Sequence, residues 1–254
     1  MTAPTRTPII ILVGGHWLGS WAWDEVLAEL SVAPAAPATP TAPAAPTALA
    51  ITLPGFDADD ALRTTRTLDE QATALADLLA EHSDRSVVLV AHSGANAPVS
   101  MVLDRHPERV ARMVWVDSGP VAPGTVFDPD FPDNAAESPL PPFAVLGQQA
   151  SLAGLSDTAL ERFRARAVPV PGSVLRQPVP LSNVARRDVP TTLICCSLPS
   201  AQLRELAQTG HPMFAETAKL TGVEFLDLPT GHWPMWSEPN QLALLLRAEA
   251  ARVR

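Results

Sequence analysis

Six short apolar runs punctuate the chain, at 9–13, 48–53, 86–91, 109–116, 192–196 and 223–228. Ile9-Ile10-Ile11-Leu12-Val13 is aliphatic throughout and stops at Gly14-Gly15, and Val87-Val88-Leu89-Val90 is equally unbroken. Runs this short and this continuous predict strands buried on both faces, as in parallel sheets. Between them the period changes. Trp23, Val26, Leu27 and Leu30 recur at core spacing within 20–30, and Leu68, Ala72, Leu75 and Leu79 form one stripe within 67–79. Further helices are predicted over 94–106 and 240–253. Strands alternating with helices predict an α/β class, with a mostly parallel central sheet and helices on both faces.

Two stretches break this rhythm. Residues 33–48 hold eight Ala, five Pro and three Thr, with Pro34, Pro37, Pro40, Pro43 and Pro46 at every third position. That is the polyproline II period, and it predicts an extended surface loop rather than helix or central strand. Residues 119–189 open on Gly119-Pro120 and pass through an acidic, proline-rich segment. They then show helical pieces at 143–152 and 157–167, with no evident strand. This reads as a mainly helical lid inserted between core segments 1–118 and 190–254.

Composition narrows the class. The 254 residues are 46% hydrophobic, which suits one well-packed domain. Acidic residues outnumber basic ones 27 to 18, and the net charge of −9 argues against a nucleic-acid partner. No apolar run approaches the length needed to cross a bilayer, and no signal peptide is evident. Cys195 and Cys196 are adjacent in a predicted strand, where alternating side-chain directions disfavour a bond between them. The expectation is a cytoplasmic protein with a small-molecule substrate, no membrane partner and no cofactor; a homodimer stays open. There is no metal-ligand constellation and no phosphate-binding loop.

The chemistry centres on Val90-Ala91-His92-Ser93-Gly94-Ala95. A serine between a buried strand and a small-residue helix start is the setting of a nucleophile elbow. Ala91 and Ala95 stand where the usual G-x-S-x-G pattern has glycine, and a glycine directly follows the serine instead. The alternative role of Ser93 is a plain helix cap.

With these residues in view, the chain resembles the α/β-hydrolase superfamily over nearly its whole length. The similarity is to small serine esterases, including plant-type methyl esterases, hydroxynitrile lyases and related bacterial esterases. Gly14-Gly15-His16-Trp17-Leu18-Gly19-Ser20-Trp21-Ala22-Trp23 is similar to that branch's H-G-x-x-x-G-x-W-x-W segment, with Gly14 in place of His. Leu53-Pro54-Gly55-Phe56 matches a turn, and Gly231-His232-Trp233-Pro234 matches the loop of the catalytic histidine. The resemblance implies Ser93 as nucleophile and His232 as base. The oxyanion hole would use the backbone N–H of Gly94, with a second from His16 or, failing that, Trp17. The acid departs from the pattern. Family members usually carry it after the strand at 192–196, where this chain has no carboxylate until Glu205. Asp117, 24 residues beyond Ser93, is the preferred candidate, as in certain haloalkane dehalogenases of the superfamily. Asp227 reads as a structural charge and His92 as a bystander of the elbow, while His16 could also point into the pocket.

Trp17, Trp233 and Phe143 are the expected pocket residues, and a small or medium apolar ester is the expected substrate, cleaved through an acyl-enzyme. Two alternatives remain. One is a lyase or haloperoxidase-like activity on the same fold; the lyase is disfavoured because Lys219, the only lysine, lies before the strand at 223–228 and is not evidently near the site. The other is a non-catalytic binding protein on the same scaffold.

Overall fold

The computed structural model describes residues 7–32 and 46–253. The proline period of 33–48 therefore lies, over 33–45, outside the described residues. Six strands form one parallel sheet: β1 (Ile9–Val13), β2 (Thr47–Ile51), β3 (Val87–His92), β4 (Arg112–Val116), and, after the long interruption, two more. The interruption contains β5 (Glu137–Ser138) and β6 (Val170–Pro171), and the sheet resumes with β7 (Thr191–Cys195) and β8 (Val223–Asp227). The order across the sheet is β2-β1-β3-β4-β7-β8, with every neighbour parallel.

The strand pleat divides the core in two. Ile9, Ile11, Val13, Val87, Leu89, Met113 and Trp115 face one side, and Ile10, Leu12, Val88, Val90, Val114 and Val116 face the other. On the first side lie α2 (Leu68–Glu81) and α3 (Asn96–Arg105), packed on each other. On the second lie α1 (Asp24–Ser31) and the C-terminal helix, Pro239–Ala251. The start of α2 is fixed by a capping box in which Thr67 and Glu70 satisfy each other's backbone N–H groups.

Residues 119–189 differ from expectation in one respect. They hold α4 (Phe143–Gln149), α5 (Asp157–Arg166) and α6 (Gly172–Arg176), but also the antiparallel ribbon of β5 and β6. Two-residue strands, one of them containing Pro171, carry no legible period. Five of the six predicted strands also shift at a boundary, 86–91 to Val87–His92 and 223–228 to Val223–Asp227 by a single residue. The strand predicted at 109–116 begins at Arg112, because a 3-10 turn takes Pro107–Arg109. The strand at 192–196 runs one residue earlier, and 48–53 becomes Thr47–Ile51. After β7 come α7 (Ser200–Gln208), α8 (Pro234–Ser237) and α9 (Pro239–Ala251). Among the described residues, no helix is long and apolar enough to cross a membrane.

Candidate active site

Parallel strands deliver their exit loops to one edge of a sheet, outside the strands' carboxyl ends. Here β1 leads into Gly14-Gly15-His16-Trp17, β3 into Ser93, β4 into Asp117 and β7 into Cys196-Ser197. Three non-glycine residues among those described have positive φ: Trp17 (66°), Ser93 (52°) and Asp117 (43°). Left-handed backbone costs a residue with a Cβ, and such strain gathers at functional sites. All three are candidate site residues in the sequence.

The side chains meet in a line. Ser93 Oγ lies 2.8 Å from His232 Nε2, and His232 Nδ1 lies 2.6 Å from Asp117 Oδ2. Asp117 is held in turn by the loop after β7. Its Oδ1 accepts from the backbone N–H groups of Cys196 (3.0 Å) and Ser197 (2.8 Å), and its Oδ2 accepts from the Ser197 hydroxyl (2.6 Å). Burial pushes the Asp117 carboxyl upward, but His232 and the Ser197 donors outweigh it and hold the group at about 2. The loop that lacks a carboxylate thus serves Asp117 as a set of donors. Glu205 sits on α7, and Asp227 accepts from the Ser200 backbone and hydroxyl, as a helix-start anion.

Small residues let the elbow and the β1 loop approach. A methyl group on Gly15 would stand 2.7 Å from Ser93 Cβ and 2.8 Å from the His92 carbonyl oxygen. A Cβ on Gly94 would meet the His16 ring at 2.5–2.7 Å. This accounts for the glycine after the serine: the His16 imidazole occupies the place of a residue-94 side chain. Ala91 and Ala95 are buried without difficulty. The Ser118 hydroxyl donates to the Ser93 carbonyl (2.9 Å) and pins the turn from the other side.

The amides expected for an oxyanion hole lie in the loop after β1 and in the turn that begins at Ser93. Those of His16 and Trp17 donate to no other main-chain group among the described residues, and Gly94 lies in a helical first turn, where N–H groups have no intrahelical partner. Trp17 is fixed from residues 119–189: its indole N–H donates to the Ser138 carbonyl (3.2 Å), and its own carbonyl accepts from Val168 N–H (3.1 Å).

The two neighbouring histidines have different settings. His92 is fully buried, and its Nε2–H donates to the His232 carbonyl at 2.7 Å while Nδ1 has no partner. Burial first, then the adjacent His232, lowers it to about 3, so it stays neutral. His16 is lowered by burial to about 4. Of the expected pocket residues, only Trp17 is in the loop beside Ser93. The Trp233 ring stacks edge-on against His232 (4.9 Å) but is 2% exposed and packs on Phe163. Phe143 packs on Phe163 beneath the Arg164 guanidinium. The sequence does not single out Ser197, Ser118, Ser138 or Val168, since each acts through a backbone group or a lone hydroxyl far along the chain.

Comparison with known proteins agrees with this architecture. Residues 10–243 match the model of the alpha/beta hydrolase family. Methylesterase 2 of Arabidopsis thaliana is 24% identical over 164 residues, 64% of this chain, and the chain spans 58% of that relative's length. The solved structure of a methylesterase from Arabidopsis superposes with a TM-score of 0.68 at 17% identity, covering 96% of this chain and 99% of that one. Tomato methylketone synthase I, solved with 2-tridecanone, gives 0.72 at 16% identity, covering 98% and 99%. With the family model spanning nearly its full length, the chain belongs to the alpha/beta hydrolase family.

Proposed function

We propose that this hydrolase is a serine esterase acting on small neutral carboxylic esters. The observation that carries the reading is the unbroken hydrogen-bond line from Ser93 through His232 to Asp117 at a strained elbow. Kinship with methylesterases supports ester hydrolysis as the chemistry.

In this reading His232 Nε2 takes the proton of Ser93 Oγ as that oxygen bonds to the ester carbonyl carbon. Asp117 keeps the imidazole proton on Nδ1 and stabilises the imidazolium. The carbonyl oxygen becomes an oxyanion and is held by the N–H of Gly94 and that of His16 or Trp17. Aimed donors of this kind are worth about 3–4 kcal/mol each in related chemistry. The C–O bond to the alcohol then breaks, with His232 returning the proton to the leaving oxygen. Water, deprotonated by His232, attacks the acyl-enzyme; the acid leaves and Ser93 regains its proton. Residues 119–189 act as the lid, tied to the oxyanion loop at Trp17.

The test is hydrolysis of p-nitrophenyl esters from acetate to octanoate by wild type, Ser93→Ala and His232→Ala. Turnover that both variants abolish is expected. No wild-type turnover by folded protein, or turnover surviving Ser93→Ala, would overturn the reading.

A further inference from the structure

We infer that His16 sets acyl-chain length: its imidazole fills the acyl subsite beside Gly94 and restricts the enzyme to short acyl groups. The inference rests on the esterase reading above.

Three observations lead there. The His16 ring and a side chain on residue 94 exclude each other, because the Cβ position of Gly94 lies 2.5 Å from His16 Cδ2 and 2.6 Å from Nε2. The ring therefore stands against the residue whose N–H would face the oxyanion, within a few atoms of the bound carbonyl. Next, no described protein group holds the ring by a hydrogen bond. His16 is 6% exposed, yet neither ring nitrogen has a partner among the described residues, and burial is the only influence on its titration. His92, by contrast, is bonded to the His232 carbonyl, as a purely structural histidine should be. Among the described residues, the neutral imidazole is held by ring contacts: Phe127 edge-on at 4.2 Å, Trp17 at 5.9 Å and Phe56 at 6.4 Å.

Proton transfer decides which side of the substrate meets this ring. The leaving oxygen must face His232 Nε2, which returns its proton. His232 approaches Ser93 together with its ring neighbours His92 and Trp233. His16 stands instead over Gly94, with Phe56 and Phe127 behind it, so the group directed toward it is the acyl chain. The His16 ring, backed by buried Phe56 and by Phe127, which is 57% exposed, stands in the path by which a longer chain would extend.

The experiment compares kcat/KM for p-nitrophenyl acetate and octanoate in wild type, His16→Ala and the double variant His16→Ala/Gly94→Leu. Removing the ring is expected to raise the octanoate-to-acetate ratio by about tenfold or more, the scale on which pocket volume discriminates methylenes. The isobutyl group introduced by Gly94→Leu refills the space and is expected to return the ratio toward wild type. A second readout is the rate of Ser93 labelling by ethyl and octyl fluorophosphonates, which needs no turnover. There His16→Ala is expected to favour the octyl reagent. Labelling ratios that shift in a protein with no ester turnover would leave the subsite standing and remove the esterase reading. Ester turnover with both ratios unmoved by His16→Ala, or a double variant that stays shifted, would overturn the assignment of His16. A Ser93 that no reagent labels would remove both.

Discussion

Replacing Asp117 with Asn tests the acid with almost no change of shape. The orientation of the new amide is dictated by its surroundings. One oxygen of Asp117 receives two backbone N–H groups, from Cys196 at 3.0 Å and Ser197 at 2.8 Å. The amide NH2 cannot face those donors, so the carbonyl of Asn must take that place. The NH2 then occupies the Oδ2 position, 2.6 Å from His232 Nδ1. It can only donate there, so Nδ1 must accept, and the ring proton moves to Nε2, pointing at Ser93 Oγ. An imidazole in that tautomer cannot take the serine proton. The same exchange in serine proteases lowers kcat by about 10⁴, or about 5 kcal/mol in the barrier, and a loss of that order is expected here. The assay is kcat on p-nitrophenyl acetate, with thermal denaturation to show that the fold is intact. A folded Asp117→Asn protein within tenfold of wild type would refute the reasoning and make Glu205→Gln the next variant.

Four other outcomes are expected from the same geometry. Gly15→Ala places a methyl against backbone of the elbow that cannot yield; Ser93 labelling should slow on the order of a hundredfold, the scale of a 1 Å misplacement, and an unchanged rate would contradict the packing. His92→Leu leaves the His232 carbonyl without its donor and should cost about 1–3 kcal/mol in urea denaturation, with His92→Gln, which keeps an N–H, recovering part of both stability and kcat; equal behaviour of the two variants would rule out the hydrogen bond as the cause. His16 and His92, at about 4 and about 3, take up protons below pH 6.5 only on unfolding. Stability should therefore be full above pH 6.5 and fall by about 1.4 kcal/mol per pH unit per histidine as the pH drops toward 4; a urea midpoint that is flat from pH 7 to 5 would exclude this. Glu249, 1% exposed and bonded to Arg112 and Thr192, should cost about 3–5 kcal/mol on change to Ala, because Arg112 loses its buried partner and keeps the half-exposed Glu224 carboxylate at 3.2 Å; a change under 1 kcal/mol would show that Glu224 alone suffices to compensate Arg112.

Most of the sheet can be read from the sequence because its strands are covered on both faces. The run Val87-Val88-Leu89-Val90 has no polar face to show, and it lies in the middle of the sheet. Boundaries are less legible where a turn borrows residues of strand character, as before Arg112. The ribbon of β5 and β6 is too short for any period. At the site, Ser93 and His232 stand out as residue types in motif positions, and Asp117 as a carboxylate at the end of a predicted strand. The contacts that organise them do not. Ser197 bonds Asp117 across 80 positions, Ser138 bonds Trp17 across 121, and the fit of His16 over Gly94 depends on shape alone. Even so, the missing carboxylate after β7 and the displaced glycine at 94 are visible irregularities, and each marks one of these contacts.

The seat of the acid at the end of β4 also bears on the order in which the site can assemble. Ser93 and Asp117 come directly after His92 and Val116, which are partners in the ladder between two adjacent strands. That ladder sets their backbone positions relative to each other once β3 and β4 pair, and the Asp117 side chain then awaits its donors at Cys196 and Ser197. The imidazole comes from 139 positions beyond the serine and 115 beyond the carboxylate. During synthesis from the N-terminus, a strand pair can therefore carry serine and acid in place long before the histidine has left the ribosome. The serine would have no base until β8 docks and the loop after it is positioned. In the esterase reading, the nascent chain would stay inert toward esters until its C-terminal segment is folded.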